Sequence, residues 1–256
     1  MKTIKLISWD EILEHIQSPT FDDSSYIFRG VTDASHKLRP KIGRDLECRF
    51  HCYTKERERD LYERFRQYSA LFRTGRASDP WGDLALAQHH GLPTRLLDWT
   101  FNPLVAVWFA LEDRCPPVVD RKHHASMPEP EHPAAIYARR LPRQVNTEDV
   151  NNPLDVDGVL SFLPPHATPR IAVQSGVFTI HGQPREDWDD DEITLVRLDL
   201  NRKESLNATR RLMRFGIHRY ALFPDLDGLA SYLRFRYNRG LSLQLAKFAS
   251  PAEDRH

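Results

Sequence analysis

Apolar positions along the chain fall into helical and alternating spacings, and the two predict different elements. Between Glu56 and Phe72 they recur as Leu61, Phe65, Tyr68, Leu71 and Phe72 with Arg and Glu between them, which predicts a helix with a solvated outer face. Trp81, Leu84, Leu86 and Ala87 predict a second helix running to His90, stopped by Gly91 and Pro93. Asn102 as cap and Pro103 as first helical residue open a third, LVAVWFALED, whose apolar residues lie all round and predict a buried helix ending near Cys115. Further helices are expected from Glu204 to Phe215, ended by Gly216, and after the Pro224-Asp225 turn, where Asp225 or Asp227 can cap.

Strand character marks SYIFRGV (25–31), AAIYARRL (134–141), RIAVQSGVFTIHG (170–182, with a break at Gly176) and EITLVRLDL (192–200). LPTRLLDW after Gly91 reads as a short extended segment. The acidic run EDWDDDE (186–192) is expected as an exposed hairpin loop between the last two strands. Residues 115–133, rich in Pro, His and charge, read as a surface insert, and a second irregular stretch runs to about Ala167. Helices gathered early and strands spread between them predict an α+β single domain, with a mixed or split sheet flanked by helices.

Length and charge narrow the classes. The 256 residues suit one large domain, and 36 basic against 36 acidic residues leave no bulk positive charge to draw the protein onto nucleic acid or a membrane. Residues 1–20 lack the apolar core of a signal peptide and no stretch approaches a membrane span, so a cytoplasmic protein is expected. Three cysteines fit a reducing compartment, and Cys48, His51 and Cys52 lack a second Cys/His pair, so no metal site is expected. P-loop, GxSxG and HExxH motifs are absent.

Chemistry concentrates in three places. Arg29-Gly30 ends a strand: the guanidinium suits phosphate or carboxylate, and the glycine admits a close neighbour or a bulky ligand. The plainer reading of Arg29 is a structural salt bridge. In QHHGLPTRLLDWT (88–100), helical spacing lets at most one or two of Gln88, His89 and His90 reach a shared site. Past Gly91 alternation puts Thr94, Leu96 and Asp98 on one face and Arg95, Leu97 and Trp99 on the other. Asp98 can pair with Arg95 or Arg29. The third place, PDLDGL (224–229), reads as a helix cap.

YIFRG (26–30), LRPKIGR (38–44), ALAQHHGLPTRLLDWTFNPLVAVWFAL (85–111) and ALFPDLDGLASYL (221–233), in that order, closely resemble the FRG domain family, named for the Phe28-Arg29-Gly30 signature. The resemblance covers roughly 20–235, with the insert at 115–133, leaving 1–19 as an N-terminal flank and 236–256 as a C-terminal tail. The opening of this family is similar to the first motif of ADP-ribosyltransferase-like folds. That likeness implies NAD as substrate, with Arg29 contacting it, Thr94 as the hydroxyl ahead of a buried helix, and a Glu on a later strand. At the last position this sequence has Gln174, which puts the charge in doubt and leaves Asp98 or Asp227 to supply it.

The leading expectation is therefore an NAD-using ADP-ribosyltransferase, with Arg29, Thr94, Asp98 and Gln174 at the chemistry and Arg29, Gly30, Gln88, His89 and Arg95 around the nucleotide. Its acceptor would be protein or nucleic acid, and a toxin or phage-defence role follows by analogy. A binding module that grips a nucleotide or nucleic-acid phosphate through Arg29, Arg95 and His89 is the alternative. A hydrolase using His89 or His90 as general base, oriented by Asp98, is the third.

Overall fold

A computed structural model describes residues 1–21, 25–44, 53–72, 79–114, 131–164 and 173–238. In chain order the elements are β1 (Lys2–Leu6), α1 (Trp9–Ile16), β2 (Tyr26–Val31), α2 (Lys55–Ser69), α3 (Pro80–His89), β3 (Leu96–Thr100), α4 (Pro103–Leu111), β4 (Ala134–Arg140), β5 (Val159–Phe162), β6 (Gly176–His181), β7 (Thr194–Leu198), α5 (Arg202–Arg214), α6 (Arg219–Leu222) and α7 (Leu226–Asn238). The seven strands make one mixed sheet in the order β1-β7-β4-β2-β3-β6-β5, with β1 and β7 parallel and the other pairs antiparallel. Among the described residues seven helices flank it, and the fold is the expected α+β class.

Opposed residues in a ladder project to the same face. The register Phe28↔Thr100, Leu96↔Ile180 and Asp98↔Phe178 therefore defines one face. Over the β1-β7-β4-β2 half of it lie α1, α4 and α5, with Trp9, Ile12, Val105, Ala106 and Leu212 in the core. Over the β3-β6-β5 half lies α3, whose Trp81, Leu84 and Ala85 pack with Tyr62 of α2, Leu96, Phe162, Phe178 and Ile180. The other face, carrying Ile27, Leu97, Trp99, Tyr137 and Val177, is covered by Leu38 and Trp188 from irregular segments.

Between the two halves the sheet nearly splits. Strands β2 and β3 share a single residue pair, Phe28↔Thr100, whereas β2 pairs with β4 over six residues. Helix α4 fits against β2 because Gly30 has no side chain: a Cβ there would lie 2.0 Å from the Ala106 carbonyl oxygen and 2.6 Å from the Ala110 nitrogen. The close neighbour that this glycine admits is thus a helix backbone rather than a bulky ligand, although Gly30 does line the cavity described below.

Local signals placed most elements well. Asn102 Oδ1 accepts from the Leu104 N–H, Asp225 Oδ1 accepts from the Gly228 N–H and so identifies the cap of α7, and Gly216 has φ +78° after α5. Other expectations are corrected. The acidic run does not close a hairpin, because β6 and β7 lie in different halves of the sheet. That segment crosses the sheet instead, held by Arg39–Asp187 and by Arg139 with Asp190 and Glu192. Strand β6 begins at Gly176, so Gln174 and Ser175 lie in a turn, with Ser175 at φ +48°. The irregular stretch before Ala167 contains strand β5, and the extended segment expected before the Pro-Asp turn is the short helix α6.

Residues 1–19, read as a flank, add β1 to the sheet edge and bury Trp9 and Ile12 through α1. Cys48, His51, Cys52 and Cys115, with most of the insert at 115–133 and of the C-terminal tail, lie outside the described residues.

Candidate functional site

The cavity opens where the sheet nearly splits, on the helix-covered face. It has a volume of about 670 Å³ and is bounded by β2, β3 and β6, by Phe109 of α4 and by the end of α3. Such a volume is in the range of small-molecule sites. Helix α3 starts at Pro80 with Asp79 Oδ1 and Oδ2 accepting from the Trp81 and Gly82 N–H groups. Its end is set by Gly91 at φ +83°, where the Leu92 N–H returns to the Ala87 carbonyl. This closure brings Gln88, His89, His90 and Gly91 together to the cavity wall. All three side-chain-bearing residues line it, where helical spacing led us to expect one or two. The reason is that the cavity meets the end of the helix, where the chain turns, rather than its flank.

Asp98 projects from the middle of β3 with 60% of its side chain exposed and is the one carboxylate lining the cavity among the described residues. Its Oδ2 accepts from Gln88 Nε2 at 2.9 Å and lies 3.7 Å from Arg29 Nη1. Arg29 Nη1 also donates to the Asp98 backbone carbonyl at 2.6 Å, so its guanidinium fills the gap between β2 and β3. Of the two partners left open for Asp98, the fold selects Arg29. Burial pulls the Arg29 pKa down from its ordinary value, and Asp98 opposes that shift.

Thr94 does not reach the cavity. It is 2% exposed, and its hydroxyl donates to Gln88 Oε1 at 2.6 Å while accepting the Leu96 N–H at 3.1 Å. Arg95 is also 2% exposed and turns away into a bidentate pair with Glu58 of α2, at 2.8 Å and 2.6 Å, with a third bond to the Leu154 carbonyl. As a ligand to a nucleotide Arg95 is therefore corrected: every group it uses is already bonded inside the protein. Gln174 lines the cavity from the turn before β6, its amide donating to the Leu222 carbonyl at 2.9 Å. Asp227 sits exposed in the first turn of α7 and is not among the cavity residues.

Residues 24–117 match the family model of the FRG domain. This part of the chain is an FRG domain. No curated protein and no solved structure matches the chain. The FRG match contains β2, α2, α3, β3 and α4, and with them Arg29, Gln88, His89 and Asp98, whereas β1 and β4 to β7, which complete the sheet, lie outside it.

Three parts of the site and its surroundings are not apparent from the sequence. The segment 41–44 docks on the wall of the cavity, with the Ile42 N–H donating to Thr94 O and Lys41 Nζ to Gly91 O. It carries Arg44, which is not among the cavity residues: its Nε donates to the Arg39 carbonyl, and burial lowers its pKa against the opposing effect of Asp98. The walls are aromatic, from Phe28, Phe109 and Phe178, which come from three distant strands and helices and look like ordinary core positions in sequence. Behind β3, Trp99 Nε1 donates to Thr179 Oγ1, which is 2.9 Å from His181 Nε2. Burial, followed by Arg29 and Arg95, pushes that imidazole down to about 3. Among the described residues no group of three His, Cys, Asp or Glu converges to hold a metal, and no helix is long and apolar enough to cross a membrane.

Proposed function

We propose that the cavity binds a nucleotide, that its substrate is NAD, and that the FRG domain cleaves the bond between nicotinamide and ribose and passes ADP-ribose to a protein or nucleic acid. The observation that carries this reading is Asp98: an accessible carboxylate fixed by Gln88 and Arg29 on the floor of an aromatic-walled cavity. The flat rings of Phe28, Phe109 and Phe178 suit a planar base or nicotinamide. Asp98 Oδ2 is already engaged, so Oδ1 is the acceptor left to a ribose hydroxyl.

In this chemistry the bond from ribose C1′ to the pyridinium nitrogen breaks with its electron pair on the leaving ring. The positive charge that builds on the ribose is met by Asp98, and the acceptor adds at C1′ and loses a proton. A carboxylate already fixed in place stabilises such charge without reorganising. Asp98 stands here in place of the glutamate that Gln174 does not supply. Arg29, beside Asp98 in the cavity wall, matches the negative charge of a dinucleotide's phosphates. Transfer of this kind is also the chemistry on which a toxin or phage-defence role would rest.

The test is incubation of the intact protein with NAD, with and without protein and nucleic-acid acceptors, and chromatographic measurement of free nicotinamide. Release that disappears in Asp98→Asn is expected. Absence of release under every condition would rule the reading out, and nucleotides that raise Tm without release would leave the site as a binding module.

A further inference from the structure

We infer that Thr94 is a positioning residue, which sets the direction of a hydrogen-bond chain and so holds Asp98 ready for its ligand. This rests on the reading of Asp98 given above. The chain has three members from two elements: Thr94, buried ahead of β3; Gln88, at the end of α3; and Asp98, in the middle of β3. Its polarity follows from which atoms can donate. An ionised carboxylate only accepts, so the Gln88 atom 2.9 Å from Asp98 Oδ2 has to be the amide nitrogen. The Gln88 oxygen then faces Thr94 at 2.6 Å and requires a donor there. Thr94 has one hydroxyl hydrogen, and its oxygen already accepts the Leu96 N–H, so that hydrogen goes to Gln88.

Each bond thus fixes the next, and the opposite amide orientation would set an oxygen against the carboxylate. With Oδ2 occupied by Gln88 and approached by Arg29 at 3.7 Å, the carboxylate cannot rotate without losing the Gln88 bond, and Oδ1 stays directed to incoming ligand. A threonine hydroxyl that is 2% exposed accordingly affects the cavity without touching its contents. The same geometry accounts for the position of Thr94 between two punctuated elements. It lies three residues after the helix-ending Gly91, and its own carbonyl is held by the Ile42 N–H, so neither the hydroxyl nor the backbone carrying it is free to shift.

Two readouts test this. In ligand-free, 15N-labelled protein the Gln88 side-chain amide should show two well-separated, slowly exchanging protons. Thr94→Val should bring them towards the values of exposed glutamines, and Thr94→Ser should keep them. Unchanged Gln88 resonances in Thr94→Val would overturn the inference, whether or not the protein turns over NAD. In nicotinamide release, Thr94→Val should lower kcat on the order of 10- to 100-fold with KM little altered, and Thr94→Ser should restore it.

Gln88→Leu breaks the same chain without removing the acceptor for the Leu96 N–H, and covers the case in which Thr94→Val folds poorly. It should lose a similar factor, and the Thr94→Val/Gln88→Leu double variant should be no worse than the more damaged single one. Losses that multiply would show two independent roles and sink the proposal. If wild-type protein releases no nicotinamide, the functional reading fails and the resonance test alone decides the positioning.

Discussion

Two arginine–carboxylate pairs anchor β3, one just ahead of its first residue and one at its middle, and they are opposites in design. Arg95–Glu58 is closed: both side chains are at most 4% exposed, two bonds run in parallel, and a third goes to a carbonyl. Arg29–Asp98 is open: the carboxylate is 60% exposed, the guanidinium reaches it at 3.7 Å, and its short bond goes to the backbone instead. The closed pair leaves nothing for a ligand. The open pair holds a carboxylate in place while keeping one oxygen available. Charge pairing is therefore no guide to function by itself; what distinguishes the two is how many lone pairs and donors remain after the protein has taken its share.

The largest expected effect is on the closed pair. Glu58→Gln leaves the Arg95 charge buried without its partner and should cost about 3–5 kcal/mol in urea unfolding. Replacing both partners, as Glu58→Leu with Arg95→Met, should recover most of that loss. A single variant as stable as wild type would show that this pair is not buried as described. For the open pair the pattern should invert. Asp98→Asn should change stability by less than about 1 kcal/mol and reduce nicotinamide release on the order of 100-fold.

Between these lies Gly30→Ala, which forces α4 away from β2. Overpacking of this kind costs about 1–3 kcal/mol, and the altered wall of the cavity should weaken nucleotide binding in calorimetry as well. Normal stability and affinity in this variant would show that α4 has room to spare.

His181 is sensitive to both pairs. Its folded pKa of about 3 lies below the ordinary 6.5, so between those values the unfolded chain binds a proton that the folded chain does not. Stability from this group is complete above about pH 6.5 and is lost as pH falls towards 3, at a limiting slope of about 1.4 kcal/mol per pH unit. His181→Gln should flatten the acid limb of stability measured by urea unfolding from pH 7 to pH 4. An equally steep limb would assign the loss to other groups. The smallest effect concerns which pair acts on it more. Arg29 stands ahead of Arg95 among the charges that lower this imidazole, so Arg29→Met should raise its pKa, as followed by NMR.

Much of this was legible locally. The helices at α2, α3, α4 and α5 announced themselves through spacing and their caps or stops, because a cap and a glycine stop act within a few residues. The cluster QHHGLPTRLLDWT and Arg29 stood out by residue type. Strand β5 did not, since VLSF lies in a stretch rich in Asn, Asp and Pro and gains its strand character from pairing with β6. The hairpin expected between β6 and β7 does not form for a related reason: nearness in sequence says which strands can pair, while packing of the whole sheet decides which do.

Sequence by itself determined the class of fold, the boundaries of most helices and a short inventory of polar groups. Those follow from backbone preferences and from the periods of helix and strand, which are local properties. Only the tertiary structure decided that Arg29 rather than Arg95 meets Asp98, that the Thr94 hydroxyl bonds to Gln88, and that Gly30 receives a helix. The first depends on which strands lie side by side, since Arg29 and Asp98 are 69 positions apart and meet where β2 adjoins β3; the others depend on how α3 and α4 pack against the sheet.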